Sequence, residues 1–127
     1  MSTILVLEDD RELNQTMTYA LEKEGYHVLS AYSCEEAKEL SEQRTLHLAI
    51  LDVNLPDGDG FQFCSWLKAK KQMPVLFVSA RDLEEDVLFG YEMGADDYVT
   101  KPFSIKVLLK KIYVILLRKP QGANVYD

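Results

Sequence analysis

Five short apolar runs, each followed by a stretch of helical periodicity, constrain this chain more than any other feature. They are Thr3–Leu7 (TILVL), His27–Ala31 (HVLSA), Leu46–Leu51 (LHLAIL), VLFVS after Pro74, and Asp97–Thr100 (DYVT). Runs this short, apolar at successive positions and rich in β-branched residues, suit strands buried on both faces. Between them Asp10 stands where a helix cap is wanted, with Leu13, Met17, Ala20 and Leu21 at helical spacing and Gly25 as a stop. Ser33 caps a second helix to about Gln43, with Ala37 and Leu40 inward. Phe61, Phe63, Cys64, Trp66 and Leu67 mark a third. A fourth runs from about Leu83 to Met93, and Ser104 caps a fifth carrying Leu108, Leu109, Ile112, Ile115 and Leu116. Five strands alternating with five helices predict an α/β three-layer sandwich: a five-stranded parallel sheet covered on both faces, with right-handed crossovers.

The 127 residues fit one domain. Fourteen Lys and Arg against 21 Asp and Glu give a net charge of -7, which argues against this chain gripping a phosphate backbone by itself. Cys34 and Cys64 form no Cys-x-x-Cys pair, so the expectation is two reduced, buried thiols rather than a zinc or redox site. No apolar run is long enough to span a bilayer, and the start MSTILVLEDD lacks the basic region of a secretion signal. A cytoplasmic protein with no membrane partner is expected. The domain is expected over residues 1–118, with 119–127 as a tail or the start of a linker.

The chemistry lies at the strand ends. Glu8, Asp9 and Asp10 come directly after the first strand, Asp52 ends the third, Ser79 the fourth, and Lys101 comes after the fifth. These are carboxyl ends, the rim where parallel sheets bind ligands. Glu8, Asp9 and Asp52 bring three negative charges together against one lysine. Two like charges 4 Å apart repel by roughly 4 kcal/mol at an effective dielectric near 20. Either some carboxyls stay protonated or a cation binds, and an all-oxygen site with few protein ligands suits Mg²⁺. A carboxylate beside such a metal can attack phosphorus, with Lys101 and the Ser79 hydroxyl contacting the transferring group. Rival readings of LDVNLPDGDGF (Leu51–Phe61) fit poorly. A calcium loop starting at Asp52 needs Gly and Glu where Asp57 and Phe63 stand. A dehalogenase-type phosphatase needs a second acid where Asn54 stands. A flavin binder would have its phosphate repelled by EDDREL.

ILVLEDD, LDVNLPDGDG, VSAR and GADDYVTKPF, spread over nearly the whole chain, resemble the receiver domain of two-component response regulators, and the last piece is most like the OmpR/PhoB subfamily. The resemblance implies a flavodoxin-like (βα)5 fold with strand order 2-1-3-4-5. It implies that Asp52 accepts a phosphoryl group from a sensor histidine kinase. Asp9, Asp52 and the backbone carbonyl of Asn54 would hold Mg²⁺ directly, with Glu8 acting mainly through water. Lys101 would pair with the phosphoryl group and precede a cis Pro102, and Ser79 would take the family's Ser/Thr position. Tyr98 would be the aromatic switch; the residue types alone leave it a half-exposed strand tyrosine. Asp57 and Asp59 are expected to be solvent-facing turn and helix-start residues.

The implied output surface is the face of the fourth helix, fifth strand and fifth helix, through which phosphorylated relatives form homodimers by salt bridges. Asp97 with Lys111 and Asp96 with Arg118 retain two such pairs, whereas Val87 and Val107 replace a third. Phe89 and Leu117 stand where basic residues are common. They form either excess core, with Leu117 tucked inward, or an apolar contact surface. The function expected is a signalling module, not an enzyme, that regulates transcription through a winged-helix DNA-binding domain outside this chain. The alternatives are a Mg²⁺-dependent phosphatase and a stand-alone receiver.

Overall fold

In the computed structural model, which describes residues 1–118, alternate strand residues sort to opposite faces of one sheet. The strands are β1 (Thr3–Leu7), β2 (His27–Ala31), β3 (Leu48–Leu51), β4 (Val75–Ser79) and β5 (Asp97–Thr100). All neighbouring pairs are parallel, in the order β2-β1-β3-β4-β5, which is the flavodoxin-like order. Helices α1 (Arg11–Lys23), α2 (Cys34–Gln43), α3 (Gly60–Lys70), α4 (Glu84–Glu92) and α5 (Ile105–Arg118) cover both faces. Ile4, Val6 and Ile50 pack with Met17 and Leu21 of α1 and Leu108, Ile112 and Ile115 of α5. Leu5, Leu7 and Leu51 point the other way, onto Ala37 of α2, Phe61, Cys64 and Leu67 of α3, and Val87 of α4. The expected tail, residues 119–127, lies outside the described residues.

The helix starts follow the predicted caps. Asp10, Ser33 and Ser104 accept backbone N–H bonds from Leu13, Glu36 and Val107, each at 3.2 Å. Asp59, the expected helix-start residue, accepts from Gln62 at 2.8 Å. Two elements differ from expectation. The third strand begins at Leu48 rather than Leu46, because the His47 ring nitrogen Nδ1 takes the Thr3 N–H at 2.9 Å. The Thr3 N–H therefore bonds a side chain, and the β1–β3 register starts at Ile4 opposite Leu48.

The turn after Asp52 is a small antiparallel ribbon, Asn54–Leu55 against Gly58–Asp59, with Pro56 and Asp57 at its tip. Asp57 is exposed, but it is not merely a solvated turn residue. Its carboxylate accepts from the N–H groups of Cys34 at 2.8 Å and Glu35 at 3.0 Å, capping α2 from 23 residues away. These bonds, the Cys34 one foremost, lower its pKa below the ordinary aspartate value. Asp57→Ala is expected to cost about 1 kcal/mol, the usual worth of a helix cap. A shifted urea midpoint at unchanged slope would register it; a midpoint equal to wild type would show that the ribbon does not anchor α2.

Candidate functional site

The carboxyl ends of β1, β3, β4 and β5 bring the predicted residues to one rim. Asp52 follows β3 and is only 6% exposed. Its own N–H donates to Leu7 O of β1 at 2.9 Å, and its Oδ1 accepts the Val53 N–H at 2.6 Å, which orients the carboxylate. Lys101 Nζ lies 3.0 Å from Asp52 Oδ2 and 2.7 Å from Glu8 Oε1, so one ammonium bridges two carboxylates. The Lys101–Pro102 peptide is cis, as the resemblance implies. Asp9 is exposed beside them, and carboxylate oxygens of Glu8, Asp9 and Asp52 all lie within 4.8 Å of one another. An excess of oxygen donors over nearby positive charge at that spacing fits a hard divalent cation such as Mg²⁺.

Glu8 is more confined than the resemblance implies. It is 1% exposed, and its second oxygen accepts the Asp10 N–H at 3.0 Å. Burial pushes its pKa up to about 7, against the opposing bonds from Lys101 and Asp10. Burial also works against the charge on Lys101, but its bonds to Glu8 and Asp52 outweigh this and raise its pKa. For Glu8 the sign is that of a carboxyl whose folded pKa exceeds its unfolded one. Its favourable contribution is complete below about 4.5 and is lost as pH rises through about 7. In metal-free buffer, the stability of Glu8→Gln relative to wild type is therefore expected to improve from pH 5 to pH 8. Parallel stability–pH curves from chemical denaturation would contradict this.

Gly60 sets how closely α3 approaches the site. Its N–H donates to Val53 O at 2.7 Å, and a Cβ there would lie 1.9 Å from the Asp52 carbonyl oxygen. On β4, Ser79 is fully buried, and its Oγ accepts the Arg81 N–H at 3.1 Å. Tyr98 is 8% exposed rather than half-exposed, and its hydroxyl donates to Arg81 O at 2.7 Å. Gly90 of α4 makes that inward position possible, since a Cβ there would stand 2.7 Å from the Tyr98 ring.

Sequence reasoning assigns Arg81 no role, although it lies in the VSAR segment. Its guanidinium contacts Asp86 Oδ1 of α4 through Nη2 at 3.1 Å and Nε at 3.3 Å, and Asn54 Oδ1 through Nη1 at 3.3 Å. The Asn54 side chain thus joins the loop after Asp52 to α4. The signal that could have exposed this is an acid five residues after an arginine at the start of an acidic helix.

Residues expected on the output face divide. Within the chain, Lys111 Nζ pairs with Asp97 Oδ2 at 3.0 Å, and Asp97 has a lowered pKa: burial opposes this, but bonds from Tyr98 N–H, Lys111 and Tyr91 prevail. Asp96 instead accepts the Val75 N–H at 3.0 Å and lies 3.9 Å from Lys68, so the Asp96–Arg118 pair is not formed within the chain. Val87 is half-buried against the core, and the exposed Phe89 sets its ring edge-on to Phe61 at 4.9 Å. Val107 is exposed. Leu117 does not tuck inward: it is 70% exposed.

Fold and rim together define a flavodoxin-like α/β domain with a carboxylate–lysine site at the carboxyl edge of its sheet. Residues 4–113 match the family described as response regulator receiver domain. Among solved structures, the non-phosphorylated HemR receiver domain from Leptospira biflexa is 32% identical with a TM-score of 0.89, over 97% of this chain and 100% of that one. A two-component response regulator from Clostridium difficile is 29% identical with a TM-score of 0.90, over 93% and 98%. The BeF3-activated N-terminal receiver domain of Klebsiella pneumoniae RstA is 29% identical with a TM-score of 0.87, over 93% and 100%. The chain belongs to the response regulator receiver domain family, the signalling domains of two-component systems. Among the described residues no helix is long and apolar enough to cross a membrane.

Proposed function

We propose that this chain is the phospho-accepting receiver of an OmpR/PhoB-like response regulator, over residues 1–118, with Asp52 as acceptor and a sensor histidine kinase as donor. The observation that carries the reading is the single lysine, Lys101, bridging the buried carboxylates of Glu8 and Asp52 with Asp9 beside them. Asp9, Asp52 and the Asn54 carbonyl would hold Mg²⁺, with Glu8 acting through water. When bound, the ion neutralises charge on the transferring group. An Asp52 carboxylate oxygen forms the new O–P bond as the bond from phosphorus to the donor breaks. Lys101 moves its ion pair from Asp52 to the phosphoryl oxygens, and the Ser79 hydroxyl turns from Arg81 N–H to donate to one of them.

Incubation with Mg²⁺ and a small acyl phosphodonor tests this. One phosphoryl per chain, mapped to Asp52, is expected; multiple turnover on a phosphomonoester would instead mark a phosphatase. The transcriptional output would belong to a winged-helix DNA-binding domain outside this chain.

The switch is Ser79 with Tyr98, read out on the face of α4, β5 and α5. Gly90→Ala is expected to drive the Tyr98 ring outward, because the added methyl occupies the ring's place. A fluorotyrosine resonance, assigned with Tyr98→Phe, should move to a solvent-exposed shift; an unmoved resonance would contradict the steric argument. The same face would form the phosphorylated homodimer, with Asp96, Asp97, Lys111 and Arg118 as its ionic residues. The exposure of Leu88, Val107 and Leu117 supports an interface more apolar than ionic. Weak salt dependence of the dimer formed with an acyl-phosphate mimic is expected, and a strict monomer would count against it.

A further inference from the structure

Asn14 breaks the pattern of the helix that carries it. It shares the inner face of α1 with Met17 and Leu21 and is 0% exposed. Asparagine is a poor residue for a helix interior and a costly one to bury unless its amide is fully bonded. Here every valence of the amide is used. Nδ2 donates to Glu8 O at 2.9 Å and to Ala31 O at 3.0 Å. Oδ1 accepts the hydroxyls of Thr18, at 3.1 Å, and Ser30. Two carbonyl acceptors on one side and two hydroxyls on the other fix the amide's orientation.

The two carbonyls are the last groups of the β1–β2 rim. Glu8 N–H donates to Ala31 O at 3.1 Å, and the Asn14 amide closes over that final rung. What it holds is the Glu8–Asp9 peptide, within the three residues between β1 and α1 that carry the acids. A Leu at this position would leave Glu8 O, a buried acceptor, without this donor, and the peptide free to rotate.

We propose that Asn14 is a positioning residue for the acidic site, clamping the Glu8–Asp9 peptide so that both carboxylates face Asp52 and Lys101. The inference rests on the proposed Mg²⁺ site and concerns how this chain preorganises it. Groups that orient metal ligands from behind typically govern affinity by roughly 10–100-fold.

The test is Mg²⁺ titration of the full chain, followed through backbone amide shifts of Asp9 and Asp10, alongside urea denaturation. Asn14→Leu removes the donors and keeps the branched shape, at a larger volume. Asn14→Ser, smaller and polar, serves if the leucine variant does not fold. Thr18→Val and Ser30→Ala each remove one donor to Asn14 Oδ1 and leave the Nδ2 bonds in place, so they report on stability without releasing the peptide. The expected result is a Kd for Mg²⁺ raised roughly tenfold or more in the Asn14 variants, with the two controls within about twofold of wild type even where they are equally destabilised. Equal affinity in wild type and a folded Asn14 variant would overturn the assignment, as would losses in the controls that track stability alone. Wild-type protein that binds no Mg²⁺ would overturn the metal reading itself, and this inference with it.

Discussion

Asp52→Asn is expected to abolish labelling by an acyl phosphodonor while leaving the protein folded. In the proposed reaction the Asp52 carboxylate attacks phosphorus; the amide lacks that anionic oxygen, and neither Glu8 nor Asp9 is expected to take its place. Glu8 is buried and held by Lys101 and the Asp10 N–H. Asp9 sits at the exposed edge of the trio. The fold has little reason to fail, because the amide oxygen can still accept the Val53 N–H that Asp52 Oδ1 accepts now. Lys101 loses one carboxylate but keeps Glu8. Denaturation midpoint and stoichiometric labelling therefore separate cleanly in this variant. Asp57→Asn is the paired control. It weakens the cap on α2 and leaves every group of the rim in place, so its labelling should equal that of wild type. The opposite pattern, labelling lost in Asp57→Asn and retained in Asp52→Asn, would reassign the acceptor.

Gly60→Ala should be the most damaging of the small substitutions. Its Cβ would stand 1.9 Å from Asp52 O and 2.8 Å from Asp52 C. Both are backbone atoms in the rim of the sheet, so no rotamer change relieves the overlap. Relief requires the start of α3 to move away from β3, against the Gly60 N–H bond to Val53 O and the packing of Phe61, Cys64 and Leu67. Overpacking a well-filled core ordinarily costs 1–3 kcal/mol, and a clash with fixed backbone is placed at about 3 kcal/mol or more. Because the carbonyl that the methyl presses on belongs to Asp52 itself, labelling should fall as well in whatever fraction folds. A Gly60→Ala protein within about 0.5 kcal/mol of wild type, the range of inert surface changes, would show that α3 can shift freely.

Much of this architecture is legible in local pattern. Apolar runs at strand length, helical spacing and the caps Asp10, Ser33 and Ser104 act over a few residues, so periodicity and residue type reveal them. The site residues are legible for a related reason. In a parallel sheet every strand ends on the same rim, so the residues next after each strand are brought there without knowing any contact. Glu8, Asp9, Asp52, Ser79 and Lys101 are found this way, although Glu8 and Lys101 are 93 residues apart. The strand order comes from resemblance rather than from pattern.

Other features depend on side chains meeting across elements, and no local signal announces them. Asp57 reads as a turn residue because its partners, the N–H groups of Cys34 and Glu35, lie on another helix. Arg81 joins Asn54 to Asp86 only once the loops after β3 and β4 are side by side. Asn14 marks itself in sequence merely as a polar residue on an apolar face; its four partners come from the loop after β1, from β2 and from its own helix.

The alternating strands and helices, the helix starts, and the set of acids, hydroxyl and lysine on one rim are written in the chain itself, because they follow from short-range periodicity and parallel topology. How tightly Glu8 is enclosed, that Tyr98 lies inward against the space left by Gly90, and that Leu117 stays exposed are decided only by the folded packing. Burial is a property of the packed whole: it depends on which side chains from distant segments fill the volume around a residue, and no window along the chain contains them.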